Sequence, residues 1–294
     1  MNNKLKFLFV YLLLFCSQIV SCSKEPVKPQ PEAISKLGVK LYSGSDNDSL
    51  LVEINQKLSL NPNNLDLLLE KGGKLEGLRR FQEAIALYTH SLNLNPNTTE
   101  ILKRRGQRYI SIRYWDKAIE DLTQAGIYHN FIKVNNLKYT DNLNWAIWYY
   151  LGMCYYFKAE FEMALDVFQK SYEYSADNVS LLASINWVYN CHRRLGRDEE
   201  AQKIVAPIQE GMGYSGNYYK CILVYNGSKS QAETIDFETA SGFELCTVGY
   251  GMGNLQLVNG NREAAIKIFK KIVKDSAWQA NGFMAAEAEL SRIN

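Results

Sequence analysis

One interval constrains this chain more than any other feature. Pro62 and Pro96 stand 34 residues apart, as do Gly72 and Gly106, Ala84 and Ala118, and Phe81 and Trp115. A period of that length marks a repeat in which each unit is one supersecondary element, too small to bury its own apolar face. Such units are stable only when stacked on one another. Inside the unit, Leu68, Leu75 and their neighbours recur at helical spacing. Asn-Pro-Asn at residues 61–63 and again at 95–97 closes a helix, because proline lacks the N–H and clashes with the preceding turn. Two helices and two turns fill the period, so the expected fold is an all-α solenoid.

Three units carry matching residues. Residues 65–98 supply Leu68, Gly72, Leu75, Ala84, Tyr88 and Pro96, and residues 99–126 supply Leu102, Gly106, Tyr109, Ala118, Leu122 and Ala125. The pattern resumes from Trp145 with Trp148, Leu151, Gly152, Tyr155, Ala164 and Phe168. These residues resemble the tetratricopeptide repeat (TPR), which has a large apolar residue at position 4, a small one at 8, Tyr at 11, Ala at 20, an aromatic at 24 and Pro at 32. The resemblance implies a right-handed superhelix of helix-turn-helix units, with small residues where the two helices of a unit cross. An inserted loop is expected over residues 127–143, inside an array running from 48 to 210.

The flanks are looser. Leu50, Ile54, Leu58 and Pro62 match only the second helix of a unit. Residues 182–209 form a degenerate unit in which Tyr189 takes the small position. Residues 211–294 are expected to hold an irregular segment, a late unit with Gly253, Gly260, Ala265 and Phe269 at positions 8, 15, 20 and 24, and a capping helix over Trp278–Ile293. Gly211, Gly213, Gly216 and Gly227 imply turns between short helices.

The N-terminus reads as an address. Lys4 and Lys6 precede an apolar run from Phe7 to Phe15, too short for the roughly 20 residues of a membrane-spanning helix and ordered like a secretory signal. Ile19-Val20-Ser21-Cys22 resembles the lipobox of bacterial lipoproteins. That resemblance implies cleavage after residue 21, acylation of Cys22, and attachment to the cell envelope through more than one acyl chain, each buried CH₂ adding about 0.8 kcal/mol. Ser23 behind the cysteine implies, by likeness to enterobacterial sorting, the outer membrane. Residues 22–47 are expected to be a spacer, since Pro26, Pro29 and Pro31 favour extended chain.

Charge and chemistry exclude several classes. Loss of residues 1–21 removes two lysines from 33 basic residues and no acid from 31, so the balance offers no pull toward nucleic acid. Cys154, Cys191, Cys221 and Cys246 contain no C-x-x-C pair, so no metal is expected. They are read as buried thiols, with Cys221–Cys246 the one pair that oxidation would suit. Gly211-Met212-Gly213-Tyr214-Ser215-Gly216 matches a dinucleotide loop as text, but no strand precedes it. His90, His129 and His192 are scattered, and no cofactor or catalytic residue is expected.

In the TPR family, positions 2, 5, 9, 12 and 13 of each first helix face the concave groove. By that resemblance the second unit presents Lys103 and Gln107, and the third presents Tyr149, Met153, Tyr156 and Phe157. An aromatic wall beside a cation and an amide suits a peptide, unless the inserted loop or the C-terminal segment covers it. The family's carboxylate clamp is missing, with Leu69, Gly73, Ala146 and Tyr150 at its positions. The whole layout is also similar to the new lipoprotein I type, whose members are envelope adaptors for hydrolases and proteases. The expected function is a membrane-anchored adaptor that binds a protein or extended peptide in the envelope. The alternatives are a structural subunit of an outer-membrane assembly or secretion machine, and an enzyme with a site in 211–240.

Overall fold

The computed structural model describes residues 30–44, 48–134 and 141–293. Contacts separate residues 1–30 from residues 31–294, and the second unit is the one described below. The signal segment, Cys22 and the first part of the spacer lie outside the described residues. The second unit opens with a small antiparallel hairpin of β1 (Ala33–Ile34) and β2 (Lys40–Leu41), in which Ala33 faces Leu41. Helices follow: α1 (Ser49–Leu60), α2 (Leu65–Gly77), α3 (Phe81–Leu94), α4 (Thr99–Ser111), α5 (Trp115–Val134), α6 (Asp141–Phe157) and α7 (Phe161–Glu173). Each packs on its neighbours in sequence. The remainder comprises α8 (Asn178–Arg194), α9 (Asp198–Val205), α10 (Asn217–Tyr225) and α11 (Gln231–Thr234). Then α12 (Gly242–Glu244) runs through a π-turn (Leu245–Gly249) into α13 (Tyr250–Val258), before α14 (Arg262–Ile272) and α15 (Asn281–Ile293).

The repeat period has a visible cause in two contacts. The first is the crossing of the paired helices. A β-carbon on Gly106 would lie 2.9 Å from Leu122, one on Gly152 2.7 Å from the Phe168 ring, and one on Gly253 2.5 Å from the Phe269 ring. Gly72 meets Tyr88 in the same way. The partner is always the residue 16 positions on, so the backbone of the first helix rests directly on the large side chain of the second. The second contact is the turn between the helices. Arg79, Arg113, Ala159, Gly196 and Gly260 all adopt positive φ, from 57° to 83°. The next residue in each case donates its N–H back into the first helix, from Arg80 to Leu75 O, Tyr114 to Tyr109 O, Glu160 to Tyr155 O, Arg197 to His192 O and Asn261 to Gln256 O, all at 2.8–2.9 Å. That six-residue loop closes a helix C-terminus through one left-handed residue.

Caps set the starts of several helices. Asn64 accepts the Leu67 N–H ahead of α2, and Asp177 and Ser180 form a reciprocal capping box ahead of α8. Asp198, Glu199 and Glu200 occupy the first turn of α9, as expected of acids at a positive helix end.

In the unit read as degenerate, α8 and α9 form, and Tyr189, at the position where other units carry glycine, packs in one cluster with Ala201 and Val205 of α9 and stacks on Tyr225 of α10 at 4.0 Å. Three expectations need correction. The loop expected over 127–143 is largely helix, because α5 runs on to Val134 and α6 begins at Asp141. The spacer ends early: Ala33 and Leu41 are buried against the repeats, so residues 31–44 belong to the folded unit. The terminal helix is not a cap on an open end. Every residue from Gly282 to Leu290 in α15 is buried, on all sides, against α6, α13, α14 and the π-turn. Gly282 makes that approach possible, since a β-carbon there would run into the carbonyl oxygen of Cys246.

Candidate functional site

The aromatic wall of the third unit is formed, but it is not an open groove. Tyr149, Met153, Tyr156 and Phe157 are each no more than 3% exposed. The physical reason is the return of the C-terminal segment over them. The Tyr149 hydroxyl is shared with that of Tyr218 at 2.8 Å and accepts from Trp187 Nε1 at 3.0 Å and Asn281 Nδ2 at 3.2 Å. Tyr250 donates to the Tyr156 hydroxyl at 2.9 Å, and Arg292 donates to the Phe157 carbonyl at 2.8 Å. Rings continue the packing from Phe168 through Trp187 and Tyr250 to Phe269, each pair stacked within 6 Å. Burial holds the Tyr149 and Tyr156 hydroxyls above the ordinary phenol range, so both stay neutral.

Two buried carboxylates tie α15 into this place. Glu287 accepts from Arg113 Nη2 at 2.7 Å and from the backbone N–H of Lys36 in the hairpin at 2.5 Å. Arg113, only 5% exposed, also donates to the Trp278 carbonyl at 3.0 Å. Glu289 takes Arg194 and Arg292, both at 2.7 Å. One glutamate therefore reaches the second repeat and the hairpin, and the other reaches α8. Neither glutamate stood out in the sequence, because an Ala-Glu-Ala-Glu helix reads as solvent-exposed.

The polar side of the expected groove is self-paired. Lys103 Nζ lies 3.0 Å from Glu100, which also takes Arg104 Nε at 2.6 Å. Arg104 reaches Glu76 at 3.4 Å, Tyr88 donates to Glu76 at 2.8 Å, and Arg108 rests over the Phe81 ring at 4.9 Å. Burial holds the Lys103 ammonium below the usual lysine range despite Glu100. Gln107 reaches the buried hydroxyl of Tyr150. Lys103 and Gln107 are thus partly accessible, while the four wall residues expected beside them are core. Arg105 meets Asp121 of α5 in a two-pronged pair at 2.7 and 2.8 Å.

A different concavity is open. It is an 810 Å³ trough between β1 on one side and α3 with the α4–α5 turn on the other. Ile34, Ile85, Ala86, Tyr109 and Tyr114 supply its apolar surface, and Lys36 and Lys117 its charge. Lys36 Nζ sits 4.4 Å from the Trp115 ring, and Lys117 Nζ lies 5.7 Å from that of Tyr109 and 5.4 Å from that of Tyr114. Glu32 accepts the Gln82 backbone N–H at 2.9 Å, and burial raises its carboxyl above the usual range. Sequence reading passed over this trough by treating its first wall as spacer. The signal was present in two short apolar-alternating pairs flanking Lys36-Leu37-Gly38, a small hairpin pattern.

The remaining motifs resolve locally. Gly211, Gly213, Gly216 and Gly227 all take positive φ between short helices. The pocket beside them is lined by Glu210, Tyr214, Lys229 and Glu233 among others, without histidine. Glu210 pairs with Lys229 at 2.6 Å, and Glu233 caps its own helix through Ser230. His90 is exposed, and burial lowers His192. Cys154, Cys191, Cys221 and Cys246 are free, buried thiols, with Cys221 and Cys246 pushed up to about 12 by desolvation.

No protein-family model matches the chain, and no curated protein matches it in sequence. Solved structures do resemble it. A tetratricopeptide repeat protein from Parabacteroides merdae aligns over 83% of this chain and 91% of its own, at 18% identity and a TM-score of 0.50. YrrB, described as a TPR protein with an unusual peptide-binding site, covers 81% of this chain and 97% of its own at 15% identity, with a TM-score of 0.45. MamA covers 71% and 90% at 18% identity, with a TM-score of 0.42. With the repeated glycine crossings and left-handed turns, the fold is an all-α solenoid of tetratricopeptide-repeat type.

Proposed function

We propose that this chain is a lipid-anchored scaffold of the bacterial envelope that binds other proteins. The repeat array carries the reading: its paired helices devote their regularly spaced residues to packing on one another, and an open trough remains between β1 and α3. Ile19-Val20-Ser21-Cys22 behind a short apolar run supports the anchor, and Ser23 supports the outer membrane as its location. Labelling with an alkyne fatty acid should mark the wild-type protein and not Cys22→Ser, and only the former should float with outer-membrane fractions. Cross-linking of native envelopes should then return a small reproducible set of proteins. An unlabelled, unattached wild type rejects the anchor, and the lack of any reproducible cross-linked protein rejects the scaffold.

A second reading is a standing subunit of an outer-membrane assembly. The filled groove favours it, because a wall buried under the chain's own helix has no room to exchange peptide ligands. Co-purification at fixed stoichiometry through high salt supports it; partners lost at moderate salt count against it.

A further inference from the structure

The open trough beside the hairpin has the features of a strand-docking site. Its hairpin wall is formed by residues 31–36 with Gly38, and no residue of β2 lines it, so it is the outer edge of β1 that faces the space. Register decides which main-chain groups lie on that edge. Ser35 donates to Val39 O at 2.8 Å and Ala33 faces Leu41, so Ala33 and Ser35 turn toward β2. In an antiparallel pair the intervening residue then directs its N–H and C=O the other way, which places those of Ile34 on the trough side. One end of the edge is already closed, since the Gln82 side chain donates to Pro31 O at 3.2 Å and Glu32 O at 2.9 Å.

Side chains and charge narrow the occupant. A docked strand turns alternate residues to opposite faces. Here one face would meet Ile85, Ala86 and Tyr109, while Ile34 and Tyr114, 50% and 54% exposed, flank it. Lys36 and Lys117 sit over aromatic rings and form no ion pair among the described residues, and Asp116, the nearby acid that feels Lys36, is paired with Lys158 at 2.8 Å. Arg113 lines the trough but is neutralised by Glu287, and Glu32 is the one carboxylate in the lining. The balance is therefore positive over an apolar floor, and the 810 Å³ volume lies within the roughly 300–1,000 Å³ of binding clefts.

We infer that this trough binds an extended segment of a partner protein, added to the edge of β1, in which acidic residues alternate with branched apolar ones. Strand addition gains affinity from main-chain hydrogen bonds and specificity from alternate side chains. The inference rests on the scaffold reading, and it names the surface and the chemistry that reading lacks.

The test uses the full lipidated protein in detergent and three fluorescein-labelled decapeptides. One alternates Glu and Val, one alternates Lys and Val, and one is the Glu–Val peptide N-methylated at alternate residues. Anisotropy titration should show the Glu–Val peptide binding at least tenfold tighter than either control. Lys36→Glu with Lys117→Glu should reverse the charge preference, and Ala86→Trp, at an exposed alanine, should block all binding while the circular dichroism stays unchanged. Equal binding of acidic and basic peptides, or binding indifferent to N-methylation and to these variants, overturns the inference, as does no binding at all. If these variants keep the wild-type set of envelope cross-links, the trough is refuted and the scaffold stands. If the wild type gives no cross-links, the scaffold itself fails.

Discussion

The first two repeats and the third were expected to share one groove, yet the molecule treats them in opposite ways. Along α2 and α4 the residues on that side are Glu76, Glu100, Lys103 and Arg104, which pair with one another and stay partly exposed, with Gln107 beside them. Along α6 they are Tyr149, Met153, Tyr156 and Phe157, and α15 together with Trp187, Tyr218 and Tyr250 from α8, α10 and α13 buries them. The turns differ as well. Arg79, Arg113 and Ala159 hold the left-handed conformation in the first three units, whereas Gly196 and Gly260 hold it in the last two. A non-glycine residue in that region costs on the order of 1–2 kcal/mol. The contrast teaches that wall chemistry foretells its cover. Charges that can pair laterally stay at the surface, and a continuous aromatic wall becomes core once any apolar segment of the same chain can reach it.

The largest effect should come from separating the C-terminal half at its closest approach. Gly282→Val places side-chain atoms against the Cys246 carbonyl and should cost more than about 3 kcal/mol, the upper range of overpacking. Chemical denaturation should show it as a lowered midpoint, and the N-terminal repeats should keep more helicity than the rest. Next comes the buried pair that links the two halves. Glu287→Ala leaves Arg113 buried and unpaired and should cost about 3–5 kcal/mol, whereas the double variant Arg113→Met with Glu287→Leu should recover most of that loss. A double variant as unstable as the single one would mean that packing around α15, rather than charge, is what the pair supplies.

Smaller changes sharpen the contrast between units. Ala159→Gly relieves the positive φ of the third turn and should stabilise by up to about 1 kcal/mol, less the entropy glycine adds to the unfolded chain. A loss of stability there would show that the left-handed turn is not strained. On the exposed N-terminal side, Glu83→Gln removes a pair with Arg80 and should change stability by less than about 1 kcal/mol. The thiols offer a probe without mutation. Cys154, Cys191, Cys221 and Cys246 are buried on several helices, and all four should resist a thiol reagent until the protein unfolds. Rapid native labelling of Cys246 alone would mean that α15 lifts off the π-turn.

How far the sequence could be read follows from the range of each interaction. The helix pairs were legible because glycine at the crossing and the large apolar residue 16 positions later lie within one unit, where spacing encodes contact. The pair of Arg105 with Asp121 is local in the same sense, since both belong to one helix pair. The fate of the wall was not. It depends on Glu287 meeting Arg113 and on Asn281 meeting Tyr149, contacts spanning 174 and 132 residues, and no period or motif connects such positions. The helical run of α5 to Val134 was hidden by the loss of the repeat pattern, which records stacking and not helicity. The trough was missed because three prolines coloured the whole of residues 22–47 as spacer.

Native-state hydrogen exchange of α15 tests the central claim most directly. If α15 is part of the core, amides from Phe283 to Leu290 should exchange only with global unfolding, as slowly as those of α6 and α8. If they exchange through a local opening while α6 and α8 stay protected, α15 is a removable cover and the aromatic wall is a groove after all.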